Sequence, residues 1–123
     1  MHPTPSPRPP LPFEQREKEL EPLVRRAVDE VRSAIAHRAP ALSGAFFYGA
    51  VGVDPRHLVV WYLFATDRQK EAAAANGLRL ELDRCTRAAL RDAGYPAAAL
   101  TLIHVSFASD EEINRAGGWA FFR

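Results

Sequence analysis

One cysteine, one methionine and two lysines are all that these 123 residues hold of those types. The single thiol, Cys85, excludes an internal disulfide and gives no sign of an oxidising compartment. Charge of one sign is missing too. Sixteen basic side chains against fifteen acidic ones leave +1, which supplies no field to draw the chain to nucleic acid or to an anionic membrane. No run approaches the roughly 18 uninterrupted apolar residues of a spanning helix, and the N-terminus has no apolar signal core. The expected compartment is the cytoplasm. Histidines at HxH or HxxxH spacing are absent, as are RNP-like and helix-turn-helix patterns, so neither a metal, a cofactor nor nucleic acid is expected.

What is present is an ordinary globular composition, 47% apolar and 25% charged. Fourteen of the sixteen basic residues are Arg, a bias that fits a GC-rich bacterial genome. Residues 1–12 carry six of the ten prolines. They read as a disordered, proline-rich tail sampling polyproline II, with an SH3-type ligand around Pro7–Pro12 as the functional alternative. Residues 13–123 then form a single α+β domain.

Leu20, Val24, Ala27, Val28, Val31 and Ile35 make one apolar stripe of period 3.6. The spacing predicts a firm helix over 22–37, preceded by a fraying extension and ended at Ala39-Pro40. Residues 45–65 read as a β-hairpin that is apolar on both faces, where a sheet with one wet face would alternate. With Asp54-Pro-Arg-His57 as its turn, Val53 pairs with Leu58, Gly49 lies opposite Tyr62, and Ala50 lies opposite Trp61. Phe47, Val51, Val53, Leu58, Val60, Tyr62 and Phe64 share one face. Phe46, Tyr48, Val59, Trp61 and Leu63 share the other.

Thr66-x-x-Gln69 has the form of a capping box, and Asn76-Gly77 breaks the helix it opens. Leu78, Leu82, Cys85, Ala89 and Ala93 continue the apolar stripe to Gly94. Leu100–Phe107 reads as a strand with Thr101, Ile103, Val105 and Phe107 on one side, and Leu100, Leu102, His104 and Ser106 on the other. Ser109-Asp-Glu-Glu112 caps a short helix that Gly117-Gly118 end, and Trp119–Arg123 reads as a last strand. The expected architecture is a two-layer α+β sandwich, ordered α-β-β-α-β-α-β, with a mainly antiparallel sheet of about four strands.

Candidate chemistry is sparse, and each feature has a structural explanation beside it. Cys85 lies on an apolar stripe and behaves there as a small hydrophobe. His37 suits a helix C-terminus. His2 lies in the tail and His57 in the hairpin turn. His104 and Ser106 share a strand face, and with Asp54 or Asp110 they would make a hydrolase-like or small-ligand site using His57 as well; a polar strip along a sheet explains them equally. Asp110, Glu111 and Glu112 suit helix capping. Arg25, Arg26, Arg32 and Arg38 are interleaved with acids, as on a solvated face.

The aromatic sheet face is different. Phe46, Tyr48, Trp61 and Leu63, joined by Trp119 or Phe121, form the kind of patch that marks a protein interface. Two outcomes stay open: helices cover both faces of the sheet, or one face is left for a protein partner or for self-association across a two-fold axis. The opening helix, the Phe46–Phe64 hairpin, the Thr66-capped helix and the closing Gly117–Phe122 stretch together resemble, in outline, the small α+β immunity proteins encoded beside bacterial polymorphic toxins. That resemblance implies a non-catalytic cytoplasmic protein that occludes one partner. The near-neutral charge departs from the acidic character common where the partner is a nuclease.

Overall fold

The computed structural model describes the backbone of residues 12–49 and 54–122, and the side chains of those ranges apart from 12–19 and 119–120. The sixfold stripe of the first helix is its buried face. Leu20, Val24, Ala27, Val28, Val31 and Ile35 are all buried, and Leu23 joins them. The helix, α1, spans Pro12–Ala34 with Pro22 inside it. It therefore starts ten residues before the expected firm segment, and the chain leaves it as a turn over 35–37. Residues 1–11 of the proline-rich tail lie outside the described residues.

Strand β1 (Gly44–Tyr48) pairs antiparallel with β2 (Val59–Phe64). The register differs from the one expected. Ala45 lies opposite Tyr62 and Phe46 opposite Trp61, a slip of four residues from the pairing set by Val53 and Leu58. Ala50 and Val53 lie outside the described residues. The physical reason is the connection. Asp54 caps a 3-10 turn, Pro55–His57, by accepting from the Arg56 amide, and Gly49 leaves β1 at φ 126° against the His57 carbonyl. The loop is longer than a tight turn, and Gly49 is small because another backbone passes over it. An even slip keeps every side chain on its face, so the expected division of faces holds for the described residues of the two strands, while Val51 lies outside them.

The chain leaves β2 through α2 (Asp67–Ala75) and α3 (Leu78–Asp92), broken at Asn76-Gly77 as the sequence suggests. Gly77 takes a left-handed conformation, φ 83°. This crossover returns the chain to the starting end of β2, so β3 (His104–Ser109) adds in parallel. β3 begins at His104 rather than Leu100, because Ala97–Ala99 form a 3-10 turn and Arg87 of α3 donates to the carbonyls of Leu100 and Ile103.

A fourth α-helix follows at once. Helix α4 (Asp110–Arg115) carries a full capping box between Ser109 and Glu112. Gly117 and Gly118, both at positive φ, end it. The expected last strand does not form: Gly118–Phe122 is a 3-10 turn. Among the described residues the fold is α+β with four α-helices and one mixed sheet of three strands in the order β1-β2-β3, rather than four mainly antiparallel strands.

The core lies on one side of that sheet. Val60, Tyr62 and Phe64 of β2 are completely buried together with Leu78, Leu82 and Leu90 of α3 and the α1 stripe. The inner face of α3 runs through Leu78, Leu82, Thr86 and Leu90, a quarter-turn from the line through Cys85, Ala89 and Ala93. Cys85 and Ala89 are only partly buried at its margin, and Ala93 is exposed. Thr86 takes a core position because its hydroxyl is satisfied twice, donating to the Leu82 carbonyl at 2.7 Å and meeting Tyr62 Oη at 2.6 Å.

Candidate functional site: the open face of the sheet

Strand alternation puts the residues between the core positions on the opposite face. Pairing then sorts them into three rows across the sheet. Gly44, Leu63 and Ala108 form one row; Phe46, Trp61 and Ser106 the next; Tyr48, Val59 and His104 the last. The two readings of the sequence, an aromatic patch and a His104/Ser106 site, thus fall on one surface. Val59, Trp61 and Leu63 are half-buried where Val60, Tyr62 and Phe64 have no exposure. The helices α1 and α3 lie on the other side.

Cross-strand and diagonal neighbours explain how the aromatic rings are held. Phe46 stacks on Trp61 with ring centroids 6.5 Å apart and on Tyr48 at 6.2 Å. The Trp61 indole donates to Tyr48 Oη at 3.2 Å. The closing 3-10 turn reaches the same cluster. Phe122 meets Trp61 and Phe46 edge-on, both at 5.0 Å, and Phe121 meets Trp61 edge-on at 5.9 Å. Such edge-to-face pairs add about 0.5–1.5 kcal/mol each beyond burial. Tyr48 at the rim stays 42% exposed. The face is thus partly closed at its centre by the end of the chain and open at the Tyr48–His104 edge.

Phe46, Tyr48, Trp61 and Phe121 meet in this cluster and Leu63 lies on the same face, while the Trp119 side chain lies outside the described residues. Phe122 was not expected there. Strand alternation would turn it away from Phe121, but a 3-10 turn advances about 120° per residue, which lets both rings reach Trp61. The Gly117-Gly118 pair was the available signal that the chain turns there instead of extending.

His104 is exposed and Ser106 half-buried, and no side-chain hydrogen bond among the described residues joins them. Asp54 is taken up by Arg56, whose Nε and Nη2 reach its two carboxylate oxygens at 2.9 and 2.6 Å, with His57 Nε2 at 3.6 Å. The hydrogen bonds from Arg56 hold the Asp54 carboxyl far below the usual carboxylate range. His37 is exposed beyond α1, and His2 lies outside the described residues. No three His, Cys, Asp or Glu side chains among the described residues are placed to hold a metal ion. No described helix is long and apolar enough to cross a membrane.

The acidic run Asp110–Glu112 is absorbed by structure. Glu112 closes the capping box and accepts from Lys70 at 2.8 Å, and Glu111 accepts from the Asp67 amide at 2.7 Å. Ser109 Oγ donates to the Asp67 carboxylate, and Arg115 reaches its other oxygen at 2.7 Å. These bonds clasp α2 to α4. Of the arginines read as a solvated face, Arg25 stands over the Phe47 ring at 5.4 Å and pairs with Glu21, and Arg38 pairs with Glu81.

Comparison with protein-family models, with curated proteins and with solved structures finds no match, so the functional reading rests on this chain's own residues.

Proposed function

We propose that this chain is a non-catalytic partner-binding protein, and that the open sheet face around Tyr48, Trp61 and Phe46 receives its protein partner. The observation that carries the reading is the asymmetry of β2. One face is completely buried, while the other presents an aromatic cluster under partial cover and a tyrosine ring at its rim. Large amphipathic rings at a surface, flanked by polar groups such as His104 and Ser106, are the residue types that anchor protein interfaces. The outline resemblance to immunity proteins makes occlusion of a cognate toxin in the cytoplasm the specific form of this proposal.

Co-expression with the product of the adjacent reading frame tests it. The two chains should co-purify, and Tyr48→Glu should abolish co-purification while the chain stays folded, losing about 1–2 kcal/mol of stability. A Tyr48→Glu chain that stays folded and still co-purifies overturns the choice of face. The catalytic alternative predicts instead that His104→Ala removes a small-ligand affinity. Self-association predicts a dimer in sedimentation that Tyr48→Glu converts to monomer.

A further inference from the structure

Helix α3 gives the core one side and carries a ridge of arginines on the other. Leu78, Leu82, Thr86 and Leu90 face inward, and at 3.6 residues per turn Arg84, Arg87 and Arg91 fall on the opposite side. With Ala88 they line one wall of an open groove of about 470 Å³, and Leu100 and Thr101, from the loop before β3, line the other. That volume lies within the roughly 300–1,000 Å³ usual for small-molecule sites. Every charged side chain in the described lining is an arginine.

The three arginines are held differently. Arg87 is fixed: its Nε donates to Asp83 at 3.0 Å, its Nη1 to the Leu100 carbonyl, and its Nη2 to the Ile103 carbonyl at 3.1 Å. A guanidinium has five N–H donors, so these three bonds leave two for a ligand. Its neighbours can move. The Arg84 guanidinium is exposed and has no ion pair or hydrogen bond among the described residues. Arg91 meets only Asp92, at 3.5 Å, with both side chains largely in water, a pair that holds little. Seven residues of helix separate Arg84 from Arg91, about 10 Å of rise, with Arg87 between them. Two long side chains can therefore fold inward over one that is already in place.

We propose that this groove binds a small organic phosphate monoester, with its phosphate between Arg84, Arg87 and Arg91 and its organic part against Ala88 and Leu100. A carboxylate offers two oxygens in one plane, which a single guanidinium fork fills. A phosphate presents three acceptor oxygens around a tetrahedron and carries a charge of about −1.5 to −2 near pH 7, so it takes donors from several directions at once. The Thr101 hydroxyl supplies one more donor at the rim. Asp83 is already committed to Arg87 and Asp92 is not part of the lining, so neither carboxylate stands where the phosphate would.

Titration of the isotope-labelled full chain with phenyl phosphate, followed by nuclear magnetic resonance at constant ionic strength, tests this. The Nε–H signals of Arg84, Arg87 and Arg91 and the Thr101 amide should shift to saturation, half-complete at about 1 mM or below, while Tyr48 and Trp61 signals stay in place. Arg84→Gln and Arg91→Gln should each weaken binding about tenfold through the loss of a charge-assisted bond. Arg26→Gln makes the same change of charge on α1 and should leave binding as it was. Inorganic phosphate should move the same signals with about fivefold weaker affinity, since it leaves Ala88 and Leu100 uncovered. Shifts that do not saturate, or that spread equally to Arg25 and Arg26, overturn the inference. Benzoate binding as tightly as phenyl phosphate overturns the choice of phosphate, and inorganic phosphate binding as tightly overturns the choice of an ester. No partner enters the titration and the groove lies on α3, away from the aromatic sheet face. A negative result here therefore leaves the partner-binding reading standing, and loss of that reading leaves the groove.

Discussion

Gly49 and Tyr62 show how much single residues contribute here. A Cβ on Gly49 would stand 2.2 Å from the His57 carbonyl oxygen, at a φ that L-residues rarely adopt. Relief requires moving backbone on both strands. Gly49→Ala should lower stability by about 2–4 kcal/mol, adding a left-handed penalty to overpacking, as read by urea denaturation; a loss below about 0.5 kcal/mol would mean that the turn is not closed as described. Tyr62 is a buried hydroxyl on an otherwise apolar strand face. Burial pushes its phenol up to about 12 from 10, and the Thr86 contact opposes this. With the folded value raised, the unfolded chain ionises first. The contribution of Tyr62 is therefore full below pH 10, falls between pH 10 and 12, and is gone above that window. One such tyrosine contributes a slope of about 1.4 kcal/mol per pH unit in that window. Tyr62→Phe should remove that share of the slope and cost about 1 kcal/mol at pH 7. Chemical denaturation of both proteins across pH 7–12 checks it; equal slopes would refute it.

At the scale of elements, the clasp between α2 and α4 joins the ends of two neighbouring parallel strands. Thr66 caps α2 through the Gln69 amide at 3.1 Å, and Ser109 caps α4 through the Glu112 amide at 3.0 Å. The sequence shows both caps, because a cap is a matter of residues three apart. It does not show that Ser109, Glu111, Glu112 and Arg115 of one helix serve Asp67 and Lys70 of the other, since that depends on which strands become neighbours. Ser109 is fully buried, so Ser109→Ala removes a cap and a bond to Asp67 together. It should cost about 1–2 kcal/mol, against about 1 kcal/mol for Thr66→Ala; the two denaturation midpoints give the comparison. Hydrogen bonds from Arg115 and Ser109 hold the Asp67 carboxyl below its ordinary value. A depressed carboxylate stabilises the fold above its unfolded value and loses that contribution as pH falls through the folded one. Asp67→Asn should accordingly lose less stability on acidification than the wild-type chain, with the difference confined to pH below about 4.

For the whole molecule, the two faces of β2 should respond unequally to substitution. Phe64 has no exposure and belongs to the core shared by α1 and α3. Phe64→Ala should cost about 3–5 kcal/mol and lose function only through unfolding. Tyr48 lies on the rim, and Tyr48→Ser, which removes the Phe46 stack and the acceptor of the Trp61 indole, should cost about 1–2 kcal/mol. A circular-dichroism melt of each separates them. A Tyr48→Ser melt as low as that of Phe64→Ala would show that the rim is core and remove the basis for a docking face.

The sequence by itself determined that helices form in these stretches, the caps at Thr66 and Ser109, the break at Asn76-Gly77 and the division of faces along the described parts of β1 and β2. These follow from periodicity and from contacts within a few residues along the chain, where composition suffices. Tertiary structure alone decided the register of β1 on β2, the parallel seat of β3 and the turn that brings Phe121 and Phe122 onto Trp61. Each depends on groups far apart in sequence: Gly49 passing under the His57 carbonyl, Arg87 holding the loop before His104, and paired glycines redirecting the last residues. For the same reason the sequence marks the hairpin as apolar on both sides, but only packing selects the side that the helices take.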